Sequence, residues 1–226
     1  MCSERLRRYR ELINYMPVKD QTTISNIENV VWQRYREYLA PVLEQFRACD
    51  GGRFVEISRA DLFELAGKGI SHEFVYAVFI WGYPTGGRGN NFSRVIHHID
   101  EIKNVFARAP GAMYQDDLNQ LRARLRGCGI GLATWTKLLY FLGFTVEGDR
   151  ALILDRKVAR AFQRQLFEQF RMLGGITYDN GEIRDQPDIY PNYLRIMSKV
   201  AQDLGVDSDK LEMFLFVFGS SLKSHC

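Results

Sequence analysis

The stretch GCGIGLATWTK, Gly127–Lys137, decides how this chain is read. Before it, Gln115–Arg126 reads as a helix, and after it Leu132–Leu142 reads as another. Gly129 and Gly131 permit backbone conformations and close approaches that a Cβ would block, and Ile130 between them anchors the turn in the core of the helix pair. The second helix then presents free N–H groups and a positive dipole end, which suits a phosphate. A tight connection between two helices with no ligand has the same sequence signature, so the surroundings must decide.

Downstream, LILDRK begins at Leu152, and Asp155 stands eighteen positions after Lys137. Ala151–Leu154 reads as a short extended segment and Asp155–Met172 as helix. Asp155 is a favoured residue for capping a helix N-terminus. It is also a carboxylate that such a terminus keeps ionised, able to offset positive charge developing on a substrate. The two roles are compatible.

Elsewhere helical periodicity dominates. A long helix is expected from Ser25, with Ile27, Val30, Val31, Tyr35, Tyr38 and Leu39 toward one face and Ser25 and Glu28 as its capping box. Further helices are expected from Ser58, Ser71 and Asn91, and over Pro191–Leu204 and Ser208–Phe218. Ser58 and Asp61 form the looser S-x-x-D box. Only Arg53–Ile57 and Leu152–Leu154 resemble strands, so the fold class is mainly α. Two loops stand out. Tyr83–Asn91 is glycine-rich and carries Arg88, which can approach a phosphate closely; Gly174–Asp188 is longer and expected to be exposed.

The chain has 226 residues and is 46% hydrophobic, enough for a large core and enough to exclude wholesale disorder. It fits one large domain or two small lobes sharing an interface. A net charge of +3 permits nucleic-acid binding without demanding it, so the clustering of basic residues matters. Arg122, Arg124 and Arg126 precede the glycine turn, and Arg156, Lys157 and Arg160 follow Asp155. Cys2, Cys49, Cys128 and Cys226 are too spread for a disulfide framework, a tetrahedral zinc site or a four-cysteine iron–sulfur cluster. His97 and His98 are adjacent and diverge on a helix, which argues against joint metal ligation. No metal and no cofactor are expected. The charged N-terminus lacks the apolar core of a signal peptide, and no apolar run reaches about eighteen residues. A soluble, cytoplasmic protein with no membrane partner is the expectation.

The glycine turn and the later aspartate, taken together, resemble the helix-hairpin-helix signature of the HhH-GPD superfamily of DNA glycosylases. The match continues through LILDRKVARAF and spans about Leu118–Phe162, with members similar to 8-oxoguanine DNA glycosylase in an abbreviated prokaryotic form. The resemblance implies a helix-hairpin-helix glycosylase-like fold over residues 1–226, a single domain of two helical lobes, with the hairpin and aspartate segment at 115–172. It implies DNA as the partner, phosphate contacts by Gly129, Ile130 and Gly131, and a catalytic role for Asp155. Arg88, Arg126, Arg156 and Lys157 are the accompanying candidates for phosphate contacts. Trp81, Tyr83 and Trp135 are candidates for the walls of a pocket that receives an extruded base.

Bifunctional relatives place a lysine nucleophile two residues after the second hairpin glycine, and this sequence has Ala133 there. Lys137 lies one turn later, rotated by about 40° and displaced by about 6 Å along the helix. Extra residues in TVEGDRA, Thr145–Ala151, fit a turn more readily than extra residues inside the helix. Lys137 is still the candidate nucleophile. The expected activity is excision of a modified or oxidised, 8-oxoguanine-like base. The alternative is an inactive glycosylase-fold module that binds modified bases, an accessory protein of bacterial phage defence with operon-encoded protein partners.

Overall fold

The computed structural model of the chain describes residues 4–86, 91–178, 180 and 182–222. Arg88 lies outside the described residues. The chain begins with short helices α1 (Glu4–Arg7) and α2 (Arg10–Asn14), then strand β1 (Thr22–Asn26), α3 (Val30–Gln33), α4 (Arg36–Leu43), β2 (Arg47–Cys49) and β3 (Phe54–Ser58). The three strands form an antiparallel sheet in the order β1-β3-β2, with Ser25 opposite Val55. This corrects the expectation of a helix from Ser25. Ser25 is buried in the strand and donates its hydroxyl to Ile80 O at 2.9 Å. The helix instead starts at Val30, where the Asn29 side chain accepts from Val31 N at 2.9 Å. A capping box is a short-range pattern, and the pairing of Thr22–Asn26 with β3 overrides it.

Serine caps open the next two helices as expected. Ser58 and Asp61 make a reciprocal capping box at α5 (Arg59–Gly67), and Ser71 accepts from Phe74 N at α6 (His72–Gly82). Phe74 through Trp81 are buried without interruption, so α6 is apolar on every side and runs through the core. It packs on β1, α4, α5 and, later in the chain, α10 (Leu132–Phe141). The helix expected from Asn91 is broken in two, α7 (Asn91–His97) and α8 (Ile99–Arg108), because His98 leaves helical geometry at φ −110°, ψ 18°.

The second half is built around α9 (Gln115–Gly127) and α10. Strand β4 (Ala112–Met113) precedes α9 and pairs in parallel with β5 (Thr145–Val146), which follows α10. The two ends of the helix pair are thereby clipped together. Strand β5 turns back into β6 (Asp149–Arg150) through Glu147 and Gly148, both at positive φ, as a two-residue hairpin requires. TVEGDRA therefore is a hairpin, beyond the plain turn expected of it. Helix α11 spans Arg156–Gln163 and stops short of the expected Met172; a separate 3₁₀ turn covers Glu168–Leu173. Helices α12 (Ile189–Leu204) and α13 (Ser208–Phe218) close the chain. The protein is mainly helical. No described helix is long and apolar enough to cross a membrane.

Candidate functional site

The glycine turn ends α9 with the hydrogen bonds of a Schellman motif. Ile130 N reaches back to Leu125 O at 3.1 Å and Gly129 N to Arg126 O at 3.3 Å. Gly129 sits at φ +79°, and a Cβ there would stand 2.9 Å from Arg94 Cβ, so glycine is required twice over. Ile130 is buried, as the sequence reading expected of the residue between the glycines. These bonds also change which amides are open to an anion. The Gly129 and Ile130 N–H groups are spent on α9. Among the described residues no group accepts from the N–H of Gly131, Leu132 or Ala133, the free amides at the start of α10.

Lys137 lies on the buried side of α10, with only 5% of its surface exposed. Its stem rests on Gly82, where a Cβ would come 3.3 Å from Lys137 Cε. The side chain runs back toward the helix N-terminus, and Nζ donates to Ala133 O at 2.9 Å. No carboxylate among the described residues forms an ion pair with it. An ammonium has three donors, and one backbone carbonyl serves one of them.

Asp155 caps α11. Its Oδ1 accepts from Lys157 N at 2.9 Å and from Val158 N at 3.1 Å, and among the described residues nothing donates to Oδ2. The lead-in to Asp155 is buried and extended, yet it is not a ladder strand as expected. Side-chain hydroxyls take the place of a neighbouring strand. Tyr190 OH donates to Leu152 O at 2.8 Å and accepts from Leu152 N at 3.2 Å, and Tyr193 OH donates to Ile153 O at 2.9 Å. Thr136 Oγ1 accepts from Leu154 N at 3.3 Å. That last bond joins the residue before Lys137 to the residue before Asp155. Burial pushes both tyrosine hydroxyls far above their ordinary pKa, so they stay protonated as donors.

The remaining candidates are dispersed. Arg126 and Arg122 both bind Asp185, each at 2.6 Å, so the loop before α12 is strapped to α9. Partial burial acts to raise the Asp185 carboxyl, but the hydrogen bonds from Arg126 and Arg122 outweigh it and hold the group below its ordinary value. Arg156 stands 3.9 Å from Glu182 of the same loop, and Lys157 Nζ lies 4.4 Å from the centre of the Phe216 ring. Trp135 is buried edge-on against Tyr190, with ring centres 4.8 Å apart. Trp81 is buried against Phe141, and among the described residues its indole N–H has no hydrogen-bond partner. Tyr83 is half-buried and shares a 2.7 Å hydrogen bond with Thr134 in the first turn of α10. Two surface concavities, of about 150 and 260 Å³, are lined by other residues.

One buried cluster is absent from any sequence reading. Arg59 binds Glu212 through two nitrogens at 3.0 and 3.4 Å, with Tyr140 OH at 3.2 Å and Gln21 completing its donors. The pair ties α5 to α13 and to α10. Burial alone would depress the guanidinium, but Glu212 and Tyr140 hold it above the usual arginine value. Burial raises the Glu212 carboxyl against the opposing pull of Arg59. Burial likewise pushes Tyr140 up to about 12.

A family model described as "Putative 8-oxoguanine DNA glycosylase OGG-like protein" matches residues 20–216. The chain belongs to this OGG-like family. No curated protein and no solved structure matches it. The OGG-like match runs from just before β1 to within α13, so it takes in Arg59 and Glu212 as well as Lys137 and Asp155. Within this OGG-like chain, Thr136, Tyr190 and Tyr193 position the aspartate segment and were missed in the sequence. The spacing of Tyr190 and Tyr193, three apart on one helix, puts both hydroxyls on one face, though nothing in it names their acceptors.

Proposed function

We propose that this chain is a DNA glycosylase of the HhH-GPD type, one unit of two helical lobes, that cleaves the N-glycosidic bond of an oxidised or otherwise modified base such as 8-oxoguanine. The observation that carries the reading is the 2.9 Å bond from Lys137 Nζ to Ala133 O. Lysine-bearing relatives hold their nucleophile at the position of Ala133, and the Lys137 side chain spans the one helical turn between.

In this reading the Lys137 ammonium gives up a proton to solvent, and the amine so formed attacks C1′ of the sugar. The new C–N bond forms as the glycosidic bond breaks, and the base leaves with the bonding electrons and takes up a proton. Loss of the amine proton and opening of the sugar ring then give a Schiff base. Asp155, with Oδ2 unbonded at a helix N-terminus, offsets the positive charge that develops on the sugar. The free amides of Gly131, Leu132 and Ala133 hold a DNA phosphate, and Arg88, Arg126, Arg156 and Lys157 contact its neighbours. Trp81, Tyr83 and Trp135 receive the extruded base, and the unpartnered Trp81 N–H supplies a donor for it.

Borohydride trapping on duplex DNA containing 8-oxoguanine tests this. A covalent adduct is expected, lost in Lys137→Ala, and base release is expected to fall about 10²–10³-fold in Asp155→Asn. Base release without an adduct would reassign the attack to water and leave Lys137 no covalent part. Binding with neither reaction would overturn the catalytic reading for that base.

A further inference from the structure

Cys128 closes α9 at the glycine turn, and its thiol is fully buried. A buried cysteine of purely structural use sits among apolar groups. This one faces polar groups instead. Its Sγ donates to Arg124 O at 3.5 Å, and it lies beside two side chains from the start of α8, His98 and Glu101, the latter within hydrogen-bonding reach. Those two already meet each other, His98 Nδ1 to Glu101 Oε2 at 3.1 Å. One ligand atom from each of the three residues lies within 4.8 Å of the others. His97 turns away, with Nδ1 on Ser93 O at 2.7 Å, so the adjacent histidines do diverge and only one enters the cluster.

We propose that His98, Glu101 and Cys128 bind one zinc ion, with a fourth position left to water, clasping α8 to the turn between α9 and α10. Sulfur, nitrogen and oxygen in one set suit zinc, whereas magnesium and calcium prefer oxygen alone. Tetrahedral coordination places neighbouring ligand atoms about 3.4–3.6 Å apart, so the cluster closes onto an ion by rotating two partly exposed side chains. The fixed member is the buried sulfur, held by the Schellman turn.

On binding, the thiol gives its proton to solvent and the thiolate takes the metal. Burial and the neighbouring Glu101 carboxylate push the Cys128 thiol up to about 11, with Arg94, packed on Gly129, pulling the other way.

Cobalt(II) titration of the full chain tests the clasp, in a background where Cys2, Cys49, Cys226 and His225 are replaced by serine or alanine. One equivalent is expected to bind with a sulfur-to-cobalt charge-transfer band and the intense visible bands of a tetrahedral ion, all bleached by zinc. Cys128→Ser abolishes the charge-transfer band. His98→Ala and Glu101→Gln, both at partly exposed positions that leave the fold intact by circular dichroism, weaken binding about tenfold or more. His97→Ala leaves it unchanged. A parent chain that takes up no cobalt, or His98→Ala and Glu101→Gln variants of parental affinity, overturns the proposal.

Discussion

Two cations are buried among the described residues, and they are kept in opposite ways. Arg59 has a bidentate carboxylate, a phenol, an amide oxygen and two aromatic faces, Trp81 at 5.7 Å and Tyr140 at 5.2 Å. Lys137, on the helix that also carries Tyr140, has one backbone carbonyl among the described residues. The folded state gains from a buried charge only when its donors are matched, as they are at Arg59. The thin shell around Lys137 fits a group held ready for a partner outside the chain. A matched cation braces the fold, and an under-matched one on a rigid helix is where chemistry is to be sought.

Substitution can break this contrast. Glu212→Ala leaves Arg59 buried without its carboxylate and is expected to destabilise the fold by about 3–5 kcal/mol in urea unfolding. Lys137→Met keeps the volume and removes the charge, so stability should stay within about 1 kcal/mol of the parent or rise. Comparable losses in the two variants would make Lys137 a structural residue and erase the contrast. Gly82→Ala sharpens it: the new Cβ crowds Lys137 Cε at 3.3 Å, so adduct trapping should drop about tenfold or more while the unfolding midpoint barely moves.

The smallest effect concerns Asp185. Its carboxyl is held below its ordinary value, so its contribution is fully present above the unfolded-state pKa of about 3.9 and is lost as pH falls through the lower folded value. Asp185→Asn should flatten that acid limb of the stability profile. The change is modest because the group is 38% exposed and screened by solvent. An unaltered acid limb would show that the strap contributes nothing measurable.

Local signals were legible in the sequence, and distant ones were not. Ser58 and Ser71 as caps, the glycine turn, and Asp155 as a cap each rest on bonds within a few residues. Ser25 misled because its matching pattern is local while its fate is set by a strand some thirty residues on. Arg59 and Glu212 are separated by 153 positions and Arg126 and Asp185 by 59, and no periodicity encodes such pairs. At the candidate site, the sequence picked out Lys137 and Asp155. It could not say that the lysine would fold back onto Ala133, since that depends on Gly82 of another helix making room.

The phenol of Tyr190 gives the aspartate segment an unusual kind of tether. Leu152 both donates to and accepts from one side chain, as it would from the backbone of a neighbouring strand. A true ladder partner opens together with its sheet, whereas this one opens with α12. The amide of Leu152 is therefore shielded from solvent exchange for only as long as a helix 38 residues further along stays docked. The working lifetime of the Asp155 geometry is set from there.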